Sequence, residues 1–178
     1  MRIIAGSLKG RRLKAPTWDG LRPTSDKLRE TLFNILAPRM AGARVLDGYA
    51  GTGAIGIEAI SRGAAHVTFV ERDRRAQTLV AENLSHCGVT DGYAIIRASV
   101  SRALEAFSAE PFDIMFFDPP YDGQVDDVLA AAGERLAPGG VLILEHAARR
   151  TPAERLGRLQ RTRDVISGDS ALAFYSRP

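Results

Sequence analysis

From residue 44 to residue 145 the chain alternates between short apolar segments and helical patterns, and this alternation limits its fold more than any other feature. The apolar segments are nearly continuous runs of Val, Ile, Leu and Phe, as in strands buried on both faces. Strands that alternate with helices predict an α/β fold with a mostly parallel sheet. The predicted strands are Arg44–Asp47, His66–Glu71, Tyr93–Arg97, 112–118 and 141–145.

The segments around these strands complete the predicted architecture. Helices are predicted at 54–62, at 73–87 with Asp73 as its cap, and at 125–136. The tail, 163–167 and 171–176 around Gly168, predicts a closing hairpin that makes one edge of the sheet antiparallel. At the other end, 2–5 and 11–15 predict a small hairpin. A helix capped by Thr24 or Ser25 follows it and runs to about residue 37.

Three acidic residues end three of the predicted strands. Asp47, Glu71 and Asp118 each follow an apolar run directly. In an open parallel sheet the carboxyl ends of the strands lie at one edge, and ligands bind there at the point where the strand order reverses. One acid at such an end can arise by chance, but three at the same edge predict a functional site.

A glycine-rich turn follows the first of these acids. Residues 51–56 match the dinucleotide-binding pattern G-x-G-x-x-G, and Glu71 follows Gly51 at the distance expected of a ribose-binding acid. The Asp47 carboxylate, however, would repel a pyrophosphate. The same carboxylate suits S-adenosylmethionine, which carries an ammonium and a sulfonium but no phosphate. We therefore predict S-adenosylmethionine as the cofactor, with NAD binding and a purely structural turn as the alternatives.

This interpretation assigns roles to the residues of the turn and of the next strand end. The glycines let the backbone approach the cofactor closely, and Glu71 is expected to accept both ribose hydroxyls. The predicted cofactor-binding residues of this region are Asp47, Tyr49, Ala50, Gly51, Thr52, Gly53, Glu71 and Arg72.

The most specific motif is the tetrad Asp118-Pro119-Pro120-Tyr121, which follows an apolar strand directly. The exocyclic amine of a base is a weak nucleophile, because its lone pair is delocalised into the ring. The Asp118 carboxylate and the Pro119 carbonyl are expected to accept its two N–H groups, while the prolines stiffen the loop. Tyr121 offers a ring on which an extruded base stacks. We predict these four residues as the catalytic ones; the alternative is an ordinary turn after a strand.

Positive charge is concentrated at the N-terminus. Residues 1–39 hold nine Lys and Arg against three acids, whereas the rest of the chain has more acids than bases. Such asymmetry favours an arm that binds a polyanion, with a solvated basic surface as the alternative. The predicted RNA-binding residues are Arg2, Lys9, Arg11, Arg12, Lys14 and Arg22. A second cluster of arginines, at 149–163, is interpreted as an exposed face.

With these motifs in hand, the chain resembles the RsmD family of bacterial methyltransferases. The resemblance rests on the basic opening 2–11, on residues 22–36, and on the segments 47–53, 58–64, 118–121 and 138–146, which include Pro138-Gly139-Gly140 and Glu145-His146. It implies a Rossmann-like class I methyltransferase fold of seven strands, residues 40–178, with an N-terminal hairpin and helix extension, residues 1–39. Ser99 stands where related enzymes often carry an Asp that accepts from the adenine amine, so Ser99 is added to the predicted cofactor site.

The resemblance also implies a function. The family methylates a guanine N2 amine in 16S ribosomal RNA, so we expect that RNA as the partner, within a 30S particle or an assembly intermediate. An adenine-N6 methyltransferase of DNA or RNA and a non-catalytic RNA-binding assembly factor are the alternatives. The three histidines show no metal-ligand spacing, and no apolar run is long enough for a membrane span. We expect a cytoplasmic monomer without a metal.

Overall fold

In the computed structural model, which describes residues 1–20, 24–107, 110–120 and 125–178, helices and strands alternate as predicted. The helices are α1 (Asp26–Leu36), α2 (Ala54–Ser61), α3 (Arg74–His86), α4 (Val100–Ala106) and α5 (Asp126–Gly133), and a 3-10 turn, Ala37–Arg39, follows α1. The strands are β1 (Arg44–Asp47), β2 (His66–Glu71), β3 (Tyr93–Arg97), β4 (Phe112–Phe117), β5 (Leu136–Ala147), β6 (Arg155–Leu156), β7 (Leu159–Ser167) and β8 (Ser170–Ser176).

The strands form one sheet in the order β3-β2-β1-β4-β5-β8-β7-β6. The first five of these strands run parallel, and β8, β7 and β6 extend the sheet in antiparallel fashion. The α/β class and the antiparallel edge are therefore confirmed. The described residues form eight strands rather than seven, because the two-residue strand β6 pairs with the start of β7.

Helices cover both faces of the sheet because the strand side chains alternate between two apolar cores. Val45, Phe69 and Phe116 belong to the core under α1, α2 and α3. Leu46, Val70 and their neighbours belong to the core under α4 and α5. The N-terminal segment is part of the first core through buried apolar side chains such as that of Ile3. The division of the chain at residue 39 stays a prediction.

Local signals account for most element boundaries. Ser25, rather than Thr24, caps α1 by accepting from the Leu28 N–H, and Asp73 caps α3 as predicted. The N-terminal hairpin is reduced to one antiparallel bridge between Arg2 and Arg12. The predicted turn at 138–140 lies inside β5, where the register against β4 shifts. Helix α4 was not predicted, since it has only seven residues.

Candidate active site

The acidic ends of β2, β1 and β4 lie side by side at one edge of the sheet. Asp47 is in register with Phe69 of β2 and with Phe116 of β4. Glu71 stands two residues further along β2 than Phe69, so the alternation of side chains directs Asp47 and Glu71 to the face that α1, α2 and α3 cover. Asp118 directly follows Phe117, the last residue of β4. The strand order reverses between β1 and β4. The three acids, named the acidic rim below, therefore flank the place where open α/β sheets bind ligands.

The glycine loop lies across the ends of β1 and of both its neighbours. The Gly48 N–H donates to the Phe116 carbonyl at 2.8 Å, and the Ala50 N–H donates to the Val70 carbonyl at 3.1 Å. Gly51 and Gly53 have φ of 55° and 78°, a left-handed conformation that favours glycine. The loop is thus held to β4 on one side and to β2 on the other, at the reversal of strand order.

Asp47 lies beneath this loop and is almost fully buried, with 1% of its surface exposed. Its Oδ2 accepts from the Gly56 N–H at 3.0 Å, in the first turn of α2. The helix needs this acceptor because its N-cap residue, Gly53, has no side chain. Burial raises the pKa of Asp47 to about 7, although the Gly56 hydrogen bond opposes the shift. Sequence reasoning assigned Asp47 to the cofactor, and the structure adds this contact within the protein.

Glu71 joins the glycine loop to the end of β2. Its Oε2 accepts from the Gly51 N–H at 3.1 Å, and its Oε1 accepts from the Asp73 N–H at 2.9 Å. These contacts orient the carboxylate along the rim, beside the loop predicted to hold the cofactor. Its bond to a ribose stays a prediction.

The remaining predicted cofactor residues surround the same loop. Tyr49 is half-buried, and its ring meets that of Phe117 edge to face at 6.3 Å between centroids. Thr52 is buried, and Arg72 is exposed at the end of β2. Ser99 is exposed and caps α4 by accepting from the Arg102 N–H. The structure thus gives the Ser99 hydroxyl a local partner, and its contact with an adenine stays a prediction.

The Asp-Pro-Pro loop continues β4 past the rim. Asp118 and Pro119 are half-buried, whereas Pro120 is exposed. Tyr121, the fourth residue of the tetrad, lies outside the described residues, as does Arg22. A cavity on the α5 side of the loop is lined by both prolines and by the end of β5, including His146. The Nδ1 atom of His146 lies 2.9 Å from the Ala147 carbonyl oxygen.

A fourth acid, Glu145, stands near the end of β5, and its sequence position alone had suggested no role. It is buried, with 6% of its surface exposed. Its Oε2 accepts from the Thr24 hydroxyl at 2.6 Å, across 121 residues of sequence. The signal that could have found it is the same as for the rim: an acid near the end of an apolar strand. Thr24, expected as a possible cap of α1, instead connects the N-terminal segment to the end of the sheet.

The predicted RNA-binding residues that the structure describes, Arg2, Lys9, Arg11, Arg12 and Lys14, are all exposed. Buried polar side chains anchor the backbone that carries them. The Glu58 carboxylate accepts from the Ile4 and Ala5 N–H groups at 2.8 and 3.0 Å, and from the Arg62 guanidinium at 2.8 Å. The cations therefore project from a fixed segment.

Comparison with known proteins places the chain in a family. Residues 1–176 match the family model described as "Conserved hypothetical protein 95". The chain is 38% identical to "Putative rRNA methyltransferase YlbH" of Bacillus subtilis over 182 residues, which cover 99% of each protein. It is 44% identical to "Ribosomal RNA small subunit methyltransferase D" of Escherichia coli, RsmD, over 121 residues. This chain belongs to the RsmD family.

The alignment with Escherichia coli RsmD covers 68% of this chain and 60% of that relative. Structural similarity extends further along the chain. The solved structure of "Putative methyltransferase yhhF" from Escherichia coli matches 99% of this RsmD-family chain and 97% of its own, at a TM-score of 0.87 and 34% identity. The class I methyltransferase fold expected from the sequence is therefore confirmed.

Two further findings concern the described part of this RsmD-family chain. None of its helices is both long enough and apolar enough to span a membrane. Its His, Cys, Asp and Glu side chains form no group of three or more that could hold a metal ion.

Proposed function

We propose that this RsmD-family chain transfers a methyl group from S-adenosylmethionine to the exocyclic N2 amine of a guanine in 16S ribosomal RNA. The acidic rim carries the proposal. One carboxylate beneath the glycine loop and one on the Asp-Pro-Pro loop flank the reversal of strand order, on strands about 4.8 Å apart. A methyl donor bound at the glycine loop therefore lies within reach of an amine held at the Asp-Pro-Pro loop. The names of the relatives support a ribosomal substrate.

The glycine loop fits S-adenosylmethionine better than a dinucleotide. Dinucleotide folds bind a pyrophosphate at the helix N-terminus that follows such a loop. In this chain the Asp47 carboxylate accepts from the Gly56 N–H in the first turn of α2. An anion bound at this helix N-terminus would therefore be repelled by the carboxylate. A cationic ligand beside Asp47 would instead favour its charged form. Each Glu71 oxygen accepts one N–H from the backbone and has capacity for a ribose hydroxyl.

The protein's own groups prepare the amine for attack. When bound, S-adenosylmethionine supplies an electrophilic methyl group on a sulfonium. Asp118 and the Pro119 carbonyl accept the two N–H groups of the base, orient the nitrogen lone pair and stabilise the positive charge that develops. Asp118 then accepts the proton. Stacking of the base on Tyr121 is part of the proposal on sequence grounds.

The basic N-terminal segment binds the RNA backbone in this proposal. Its cations are exposed, and the segment is anchored on α2 and α3, so phosphate contacts would position the RNA over the rim. Lys14, at the end of this segment, shares a buried contact with the glycine loop through Asn83. We further propose that the chain acts as a cytoplasmic monomer on RNA within a 30S particle or an assembly intermediate.

Transfer of a tritiated methyl group tests the proposed function. The purified protein is offered 30S particles, naked 16S RNA and duplex DNA, and the labelled nucleoside is then identified. Label in N2-methylguanosine from either ribosomal substrate is the expected result. Label in N6-methyladenosine, or in DNA, would contradict the proposal and indicate that the target is the N6 amine of adenine. RNA binding without any transfer would indicate an assembly factor.

A further inference from the structure

A fourth carboxylate extends the acidic rim on the side away from the glycine loop. Phe116 pairs with Ile143, and Phe117 pairs with Leu144, in the parallel register of β4 and β5. The residues that follow this last pair are Asp118, just past the end of β4, and Glu145 of β5. Ile143 belongs to the core under α1, α2 and α3, so the alternation within β5 directs Glu145 to that same face. Glu71, Asp47, Asp118 and Glu145 thus lie at or near the carboxyl ends of four adjacent strands, β2, β1, β4 and β5, in that order.

The position of the Glu145 side chain supports this direction. Its Oε2 accepts from Thr24, which stands two residues before α1, and α1 covers that face. Thr24 holds the carboxylate in one orientation at the rim. The two oxygens of a carboxylate together accept several hydrogen bonds at once. The burial of Glu145 indicates that its carboxylate has a functional or structural role, since Glu is rarely found so deeply buried.

We propose that Glu145 selects guanine by accepting the N1–H of the target base while Asp118 holds its N2 amine. This inference rests on the proposed function. Guanine is the one common base in which a ring N–H stands beside the exocyclic amine. Beside the amines of adenine and cytosine stands an unprotonated ring nitrogen, an acceptor that a carboxylate would repel. Two carboxylates side by side on adjacent strands match the two parallel donors of guanine and mismatch the other two bases.

The proposal makes Glu145 a specificity residue rather than the group that activates the amine. A site built to hydrogen-bond one edge of a substrate rejects an analogue that lacks the matching group, because its own polar atoms are then unpaired. An RNA that carries 2-aminopurine riboside keeps the N2 amine, replaces the N1–H by a lone pair and lacks the O6 carbonyl. The missing O6 is the same for the wild type and for a Glu145 variant, so the change in preference between the two proteins reports the contact with N1. Because this RNA and the guanosine RNA both carry the N2 amine, comparing them tests recognition of the ring edge separately from activation of the amine.

The experiment compares two RNAs that differ only at the methylated nucleotide, mapped first with the wild-type protein. One RNA has guanosine there, and the other has 2-aminopurine riboside. We expect the wild type to prefer guanosine by at least about tenfold in kcat/KM. In Glu145→Gln the side-chain amide donates to the unprotonated N1, while its oxygen still accepts from Thr24. The preference is therefore expected to fall by at least about tenfold, with an unchanged Kd for S-adenosylmethionine.

The matched control is Glu105→Gln, which removes the same charge from an exposed position on α4. It is expected to keep the wild-type preference. A Glu145→Gln protein that folds and methylates yet keeps the wild-type preference overturns the proposal, and so does one that loses activity equally on both RNAs. Failure of the proposed function is a separate result, because the wild type itself would then form no N2-methylguanosine.

Discussion

Asn83 joins Thr52 to Lys14 through a fully buried side-chain amide. Its Nδ2 donates to the Thr52 carbonyl at 2.9 Å, and its Oδ1 accepts from the Lys14 N–H at 2.7 Å. Thr52 belongs to the glycine loop and Lys14 to the basic N-terminal segment. One side chain of α3 therefore fixes the predicted cofactor site and the predicted RNA-binding segment relative to each other.

Replacing Asn83 by Ala should weaken the fold and both predicted sites. The change leaves the Lys14 N–H and the Thr52 carbonyl without these partners, so the free energy of unfolding should fall by about 2–4 kcal/mol. Denaturant titration measures this value, and calorimetry measures binding of S-adenosylmethionine. Asn34→Ala, at an exposed position of α1, is the control and should have little effect. An Asn83→Ala protein as stable as the wild type would contradict the role of this amide as a buried link.

Asp47→Asn should change the pH dependence of stability. Burial raises the pKa of Asp47 to about 7, above its value in the unfolded chain, so the folded state holds the proton more tightly. The contribution of Asp47 to stability is therefore full below about pH 4. It declines as the pH rises towards about 7, by on the order of 2–4 kcal/mol.

The measurement for Asp47 is the melting temperature of the cofactor-free protein at several pH values. Asp47→Asn should melt higher than the wild type at pH 8, and the difference should shrink as the pH approaches 4. The variant should also bind S-adenosylmethionine more weakly if the charge contacts the cofactor as proposed. A difference in melting temperature that is constant with pH would exclude the raised pKa.

Asp118→Ala should abolish turnover while cofactor binding is retained. The proposed role of Asp118 is confined to the amine of the base, so kcat should fall by at least about a hundredfold. Single-turnover methylation measures the chemical step, and calorimetry measures the Kd for S-adenosylmethionine. Asp91→Ala, in an exposed loop, controls for the loss of a carboxylate. Loss of affinity for S-adenosylmethionine without a slower chemical step would instead assign Asp118 to the cofactor-binding site.

Replacing Arg11 and Arg12 by Ala should flatten the salt dependence of RNA binding. Each phosphate contact contributes roughly 0.7–0.9 to the slope of log K against log salt, so the double variant should lose about 1–2 from that slope. Filter binding over a range of salt concentrations measures it. Arg149 and Arg163, exposed members of the second arginine cluster, provide the matched double variant, which should keep the wild-type slope. Equal losses in both variants would mean that the RNA contact is not confined to the N-terminal segment.

Much of the fold was readable from local patterns. The bounds of β1, β2 and β3 agree with those predicted, because apolar runs with clear ends depend only on neighbouring residues. Helix α4 escaped prediction because seven residues give little periodicity, although Ser99 is an ordinary cap for it. The edge strand β6 has two residues and exists only through its pairing with β7.

The contacts that build the site were harder to predict from the sequence. Glu145 is held by Thr24 across 121 residues, and Asn83 joins residues 69 and 31 positions away. No local pattern marks such partners, since each side chain taken alone is an ordinary polar residue. The hydrogen bond from Gly56 to Asp47 was missed for a different reason: the sequence shows a carboxylate beside a glycine loop but not which donor lies nearest.

The sequence by itself determined the α/β class, the acids at three strand ends, the glycine loop and the resemblance to the RsmD family, because these depend on residue type and short-range order. The tertiary structure alone decided that Asp47 and Asp118 flank the reversal of strand order and that Glu145 extends their rim. The physical reason is that strand neighbours are selected by long-range backbone hydrogen bonds and by the packing of helices on each face. A strand's own residues specify that it is buried, not which strands lie beside it.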